Sequence, residues 1–581
     1  MSQERLKILE LLSEGKINVE EASQLLEAIG EGRASTPERP ERPERPSRRR
    51  RRHREGRRGP DRTDWGDFSK DFDDLSTEIQ DRVSQARETL KASMPKMKEA
   101  MNEAMPNVDR IVREATSSIP DVGRIVRETI RSATEAVSDW SGDESELRNA
   151  ESAQREVKES LVVEPGSRVA LRNPRGHVKI ETCEESEIQV NAKISTRAHT
   201  QEVAQAMAEQ ITVEVKQEPD VVRIDARIPE QDERPQGVGK CRVDFVVKVP
   251  RKIDLDLRSA HGNIQSPEIE GAIVLRNRHG NTKLAGASGN VWIGHAHGMV
   301  DIDQVGADLT LEASHGNVNL EAVKGAATMQ VRHGNLNLEN VGRNAEIAIG
   351  HGALNVGTAG EDLTIDAGHG PVAVQTVGGK LALNVKHGPV SVESVEKSAH
   401  ASNRHGPISL NRVGGDLVVQ NSHGPIDAEN VGGQATVKTG HSGIRLRNVS
   451  GGVAAENDHG SITLEKISGP IAVRSKRGSV EITDAGGEIA VQNEGGGITI
   501  EPGAPIKSDY TLQNRRGSVK VIVPEGSAVE VQGHVKQGKI HTDLPLEIQG
   551  TERKSQSITG QLNGGGSKIT VDVEGGDLSI T

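Results

Sequence analysis

From residue 261 onward, apolar and polar positions repeat on an 18-residue beat. Take the histidine of each His-Gly pair as position 0. The stretch from His315 reads HGNVNLEAVKGAATMQVR, with apolar side chains at +3, +5, +8, +12 and +14: Val318, Leu320, Val323, Ala327 and Met329. The stretch from His297 puts Val300, Ile302, Val305, Leu309 and Leu311 at the same positions. Alternation with period two predicts two short strands per repeat, each burying one face. Self-similarity at a short constant period is the mark of a solenoid.

The positions between the strands read as corners. His261, His279, His297, His315, His333, His351, His369, His387, His405, His423, His441 and His459 hold position 0, and the motif then decays to Arg477-Gly478 and Gly495-Gly496. Position +2 is Asn at 263, 281, 317 and 335, then Pro at 371, 389, 407 and 425. Proline has no N–H to give a sheet ladder, so this position belongs in a turn. A second turn is expected at +9 and +10, as in Val377-Gly378-Gly379, Val413-Gly414-Gly415 and Val431-Gly432-Gly433. Glycine is expected there to supply a positive φ. Position +16 points inward by alternation, yet it is Asn at 277, 403, 421, 457 and 493. Buried amides must be hydrogen-bonded, and neighbours such as Asn403 and Asn421 are expected to bond along the stack.

These positions predict a mainly β protein whose body is a parallel two-sided β-solenoid with 18-residue rungs, burying +3, +5, +12 and +14 between its faces. A triangular hexapeptide helix also has 18 residues per turn, but its six-residue beat fails at +2. A β-propeller or sandwich array is the weaker alternative. Fourteen rungs at about 4.8 Å each would make a rod of roughly 65 Å.

The regular repeats occupy 261–500. Residues 160–260 read as a leading β cap with a helical insert: Leu171–Ile180 is a rung with Arg175-Gly176 at the corner, Glu202–Gln210 is helical, and Ile211–Ile228 returns to strands. Residues 501–581 read as longer rungs, Arg516-Gly517 and then Gln537-Gly538, closed by KITVDVEGGDLSIT.

The N-terminal part follows a helical beat. Over 1–32, Leu6, Ile8, Leu9, Leu11 and Leu12 form one short helix face stopped at Gly15. Asn18 and Glu21 form a capping box for a second helix carrying Ala22, Leu25, Leu26 and Ile29. So small a hairpin buries little alone and is expected to dock or to form a homo-oligomer. Residues 33–63 are a Pro/Arg-rich linker, PERPERPERP and then an arginine knot, expected to be disordered and extended. Residues 64–140 are amphipathic helices. Phe68, Phe72, Leu75, Ile79, Val83, Ala86 and Leu90 form one stripe, and Met105–Glu114 repeats as Ile119–Glu128 with Pro106 and Pro120 in first turns.

Charge and composition narrow the function. The net charge is −12, yet Arg48, Arg49, Arg50, Arg51, Arg52, Arg54, Arg57 and Arg58 form a basic knot. It reads either as a solvated spacer or as a grip on an anionic membrane surface or nucleic acid. No aromatics are interleaved to stack on bases. Cys183 and Cys241 are too few for a disulfide scaffold and lack zinc spacing. The start, MSQERLKILELL, is not a secretory signal, and no apolar run reaches membrane-span length. The expected place is cytoplasmic, with peripheral attachment at the membrane or envelope left open.

The twelve corner histidines should stack at one edge. Three readings compete: a good corner residue, a Zn²⁺ or Cu²⁺ ladder, or a pH sensor. No carboxylate or cysteine recurs in phase to complete a tetrahedral site. Nor does any rung carry a unique acid pair, a Ser/His/Asp elbow or a phosphate-binding loop. No catalytic residue and no cofactor is expected. The expectation is a non-enzymatic scaffold with a protein partner whose identity is open.

Two stretches carry resemblances. RLKILELLSEGKINVEEASQLLEAI resembles the SHOCT-like helical hairpin of bacterial envelope-stress proteins of the YvlB/LiaX type. The Gly-cornered strands of 160–581, introduced by CRVDFVVKVPRKIDLDLRSAHGNI, resemble a bacterial family of candidate adhesins built of β-strand repeats. The resemblance implies an envelope-stress setting and carries over no catalytic residue.

Overall fold

The fold comes from a computed structural model that describes residues 150–581 apart from Pro165 and 552–554. The hairpin of 1–32, the linker of 33–63 and the amphipathic segment of 64–140 lie outside the described residues.

Strands of the repeat pair in parallel with the rung 18 residues further on. In the first sheet Val318 faces Leu336 and Leu320 faces Leu338. In the second, Ala327 faces Ala345 and Met329 faces Ile347. The chain thus winds as a two-sided β-solenoid of about 15 turns. One sheet is built from strands such as Val318–Val323 and the other from strands such as Ala327–His333.

The core lies between the sheets. Val318, Leu320, Val323, Ala327 and Met329 are all 2% exposed or less, and the other rungs from His261 to His459 bury the same positions. At about 1.5–3 kcal/mol for a fully buried aliphatic side chain, these columns supply the main drive to fold. Small branched residues suit so thin a core. Phe245 and Tyr510, near the two ends, are the aromatic side chains of this core.

The first corner behaves as the sequence suggests. Glycine at +1 takes φ between 118° and 154° from Gly262 to Gly496, a region other residues enter at a cost. Its N–H donates to the next rung's histidine carbonyl, as from Gly316 to His333 at 3.0 Å. The +2 prolines sit outside the strands. Where +2 is Asn, its side chain does the work proline makes unnecessary. Asn335 Oδ1 accepts the N–H of Ala353 at 2.9 Å. Ala353 has no side-chain acceptor, and the next residue in that column is Pro371, which has no N–H to satisfy.

The second corner corrects the expectation of positive φ. Gly378, Gly414 and Gly432 are not in the left-handed region. A Cβ there would instead collide with the carbonyl oxygen of the rung before, on Gly360, Glu396 and Gly414 respectively. Glycine is favoured by close approach, and Lys324 and Glu396 fill the same position elsewhere. Asp or Asn at +11 braces this corner, as where Asp308 Oδ1 accepts the Ala326 N–H at 2.8 Å.

Both ends depart from sequential stacking. Arg168–Arg175 lies between Val221–Arg227 and Asp254–His261, so the first rung of the chain is an inner one. At the far end Ser567–Gly575 slots between Tyr510–Asn514 and Val529–Gln537. Leu578–Ile580 lies likewise between Val519–Val521 and Ile540–Thr542. The closing KITVDVEGGDLSIT is therefore not the outermost rung. Antiparallel strands finish each end: Glu151–Val162 on Glu187–Ala198, and Val529–Gln537, Ser555–Leu562 and Glu547–Thr551 in series. These antiparallel strands end the parallel ladder at each end. Among the described residues one α-helix, α1 (Gln201–Gln210), packs Ala204, Met207 and Ala208 onto the leading cap, with Thr200 accepting at its N-terminus from Val203.

Candidate functional site

The corner geometry brings the twelve histidines into one column. Strand register pairs each with the next, His279 with His297 and so on to His441 with His459. Ring centroids of neighbours are 4.6–4.9 Å apart, and ring planes diverge by 1–19°. Strand spacing sets that distance, and it falls in the range where aromatic rings stack. His261, His279, His387 and His459 are half-buried and the other eight are exposed.

Asparagine at +16 holds this corner from inside. Asn403 Nδ2 donates to the carbonyls of Gly388 at 2.9 Å and Gly406 at 3.2 Å. Asn421 does the same to Gly406 and Gly424. Asn457 also accepts the His459 N–H at 3.1 Å. The expected amide-to-amide ladder at +16 is not what forms. Each amide spans two successive corner carbonyls, because the glycine turn leaves them pointing inward within its reach. An amide ladder does run elsewhere, on the outer face at +4, from Asn355 to Asn337 at 2.8 Å and from Asn337 to Asn319 at 2.9 Å.

The column favours neutral imidazoles at its crowded places. Burial, then His279, Arg175 and Arg278, pull His261 down to about 4. Burial lowers His279, helped by His297 and Arg278. It lowers His387 too, beside His369, His405, Arg404 and Lys386. Arg477 Nη1 lies 3.0 Å from His459 Nε2, a contact that needs a neutral, accepting ring nitrogen.

Stacking bears on metal binding. A Zn–N bond is about 2.0–2.1 Å, so two ligating nitrogens must converge on one point. Parallel rings hold their lone pairs in separate parallel planes, and neighbouring histidines do not converge on a shared ion in this arrangement. Among the described residues no group of three or more His, Cys, Asp or Glu is placed to hold one. The arginine knot, Arg48–Arg52 with Arg54, Arg57 and Arg58, lies outside the described residues. Cys241 is buried and Cys183 half-buried, both as free thiols. Among the described residues no helix is long and apolar enough to cross a membrane.

One buried cluster escapes the repeat pattern. On the outward face of the second sheet Arg258 grips Asp256 through two hydrogen bonds of 3.0 and 2.8 Å. The Arg276 guanidinium lies 4.5 Å above the Trp292 ring. Nothing periodic announces it. The one signal in the sequence is a tryptophan in a chain with 1% aromatics.

No curated protein matches the sequence. Three solved structures align with it. A candidate cell-adhesion protein from Clostridium sporogenes is 8% identical, covering 73% of this chain and 99% of its own, with a TM-score of 0.12. Candidate adhesins from Bacteroides fragilis and Parabacteroides merdae are 11% and 7% identical, cover 53% and 58% of this chain and 96% of their own, and each has a TM-score of 0.14. Scores this low carry no argument about function. The profile of the SHOCT-like domain matches residues 3–34. That of the Toastrack DUF4097 family matches 167–405 and 408–581, which is nearly all of the solenoid with its caps, and the chain belongs to that family.

Proposed function

We propose that the protein is a non-enzymatic interaction rod acting in bacterial envelope stress. Its repeated edges present the same chemistry at one-rung intervals to a protein partner. The observation that supports this is the column of twelve histidines at 4.6–4.9 Å spacing, carried by rungs of nearly identical outline. A catalytic site concentrates unlike groups at one place, whereas here each rung repeats its neighbour. The envelope-stress setting rests on the resemblance of the N-terminal hairpin.

The test is capture of partners from the bacterial host by the intact chain, by a variant lacking two rungs in phase (residues 315–350), and by one with alternate column histidines changed to Asn. A repeated edge predicts graded weakening in both variants, roughly in step with the length or the number of rings removed. Capture abolished by removing that one pair of rungs alone would place recognition in a unique site. No partner held by the intact chain would overturn the reading.

A further inference from the structure

The two ends of the solenoid guard their sheet edges differently. At the trailing end the outermost strands are short: among the described residues Ile540–Thr542 pairs only with Leu578–Ile580, and Glu547–Thr551 only with Ser555–Leu562. Short edges are one way a fold avoids pairing with another chain. At the leading end the outermost strand of the first sheet is Glu151–Val162, twelve residues long. It pairs residue for residue with Glu187–Ala198, without a bulge, and has no second strand partner among the described residues. It holds no proline or glycine, and Val162 is 74% exposed. A long edge of this kind is a template for another strand. Its open side can be read from the ladder. Val163, the next residue, donates its N–H to Ser186 at 3.0 Å. By alternation, Ser152, Gln154, Glu156, Lys158 and Ser160 then turn their N–H and C=O groups away from Glu187–Ala198.

Charge is a common guard on such an edge, and this strand carries Glu151, Arg155, Glu156, Lys158 and Glu159. Their order, however, is self-complementary. Laid antiparallel on a second copy about Val157, the strand sets Glu156 opposite Lys158 of the copy, and Arg155 opposite its Glu159, on both sides of the centre. A shift of one residue sets Glu156 against Glu159, or Arg155 against Lys158. A shift of two sets Glu156 or Lys158 against itself. Within its own chain Glu156 forms a 2.8 Å ion pair with Lys158 and lies opposite Lys193. Across the two-fold, each Glu156 would lie between two lysines. Arg155 and Glu159 stand opposite Ile194 and Val190 in their own chain, so across the ladder only the copy offers them an opposite charge.

We infer that two copies of this chain join head to head, Glu151–Val162 of each pairing antiparallel about Val157, so that the first sheet runs unbroken through both rods. Glu156 and Lys158 of the copy then exchange backbone hydrogen bonds, and Val157 meets Val157. The other edge strand at this end, Thr212–Glu218, pairs only with Val221–Arg227 among the described residues. It repeats the order as Glu214-Val215-Lys216, with an ion pair of 2.7 Å. It lies across from the first, since Gln217 Nε2 donates to the Val162 carbonyl at 2.9 Å. Both free edges at this end therefore match their own kind.

Sedimentation equilibrium of the full chain tests this. The intact chain should be a dimer at micromolar concentration. Glu156→Lys sets lysine against lysine on both sides of the two-fold, and Lys158→Glu sets glutamate against glutamate, so each should weaken the dimer roughly tenfold. An equimolar mixture of the two variants puts opposite charges back at both places and should recover the dimer. One chain carrying both changes should recover it too. Recovery on mixing separates a lost contact from a misfolded variant. An intact chain that stays monomeric would overturn the inference. So would a dimer that neither variant weakens, which would place the contact elsewhere, the expected hairpin of 1–32 included. Two weakened variants that mixing does not restore would overturn it equally.

Discussion

At the scale of single residues, the corner is where this fold is most sensitive. Asn421 is 2% exposed and donates to two corner carbonyls. Removing a buried hydrogen-bonding partner costs about 1–3 kcal/mol, so Asn421→Ala should lower the urea midpoint clearly. Asn337→Ala, on the exposed +4 ladder, should change stability by less than about 0.5 kcal/mol. Equal effects would contradict the division into inner clamps and outer ladders. Gly316 combines a φ of 129° with close approach to the Gly298 carbonyl. Gly316→Ala should destabilise by about 1–3 kcal/mol or more.

Protonation is also argued residue by residue. His261, His279 and His387 are held below their usual value mainly by burial, next to other imidazoles and to Arg175, Arg278, Arg404 and Lys386. His295, 4% exposed and facing the core beside Thr282, is lowered by burial too. In each case the unfolded chain takes up the proton first. Stability is therefore full above about pH 6.5 and is lost as pH falls from there toward about 4, the folded value of His261. Urea midpoints at pH 7.5, 6 and 5 should fall in that order, and less steeply for His261→Asn. A midpoint constant over that range would show that the column tolerates charge.

At the scale of the element, the unit is one rung of 18 residues. Removing residues 333–350 brings like positions back into register, so the variant should fold with a cooperative transition. Removing 333–349 shifts every later side chain by one and turns the alternation inside out, which should abolish folding. Comparable stability of the two variants would contradict the register. The rung was also the most legible part of the chain. Its strands, its buried columns and its histidine edge follow from period-two alternation and a constant phase. What stayed hidden was how groups meet between rungs. The sequence shows that Gly378 and Gly432 are glycines, but φ and crowding both favour glycine, and only the position of the previous rung's carbonyl separates them. Asn403 and Asn421 read as buried amides, yet their partners are backbone atoms that no sequence pattern marks.

At the scale of the solenoid and its caps, the chain tucks its first and last rungs inside outer ones. No local pattern distinguishes an inserted rung from a terminal one, since both alternate alike, so this too was invisible beforehand. It has a consequence. Deleting 567–581 should expose the facing edges of Tyr510–Asn514 and Val529–Gln537 and speed amide hydrogen exchange in both, leaving exchange in 300–400 unchanged. Protection unchanged in the two edges would contradict the insertion.

The parallel, in-register winding underlies every statement about the edges, and pulsed electron-spin distances measure it most directly. With Cys183 and Cys241 changed to Ser, one label stays at Asn319 and a second is placed at Asn355, Ser391 or Asp427, all outward positions of the first sheet. These lie two, four and six rungs away. The account predicts distances rising in equal steps of about 9.6 Å, two strand spacings. Distances that level off or alternate with rung number would contradict the solenoid, and with it the histidine column.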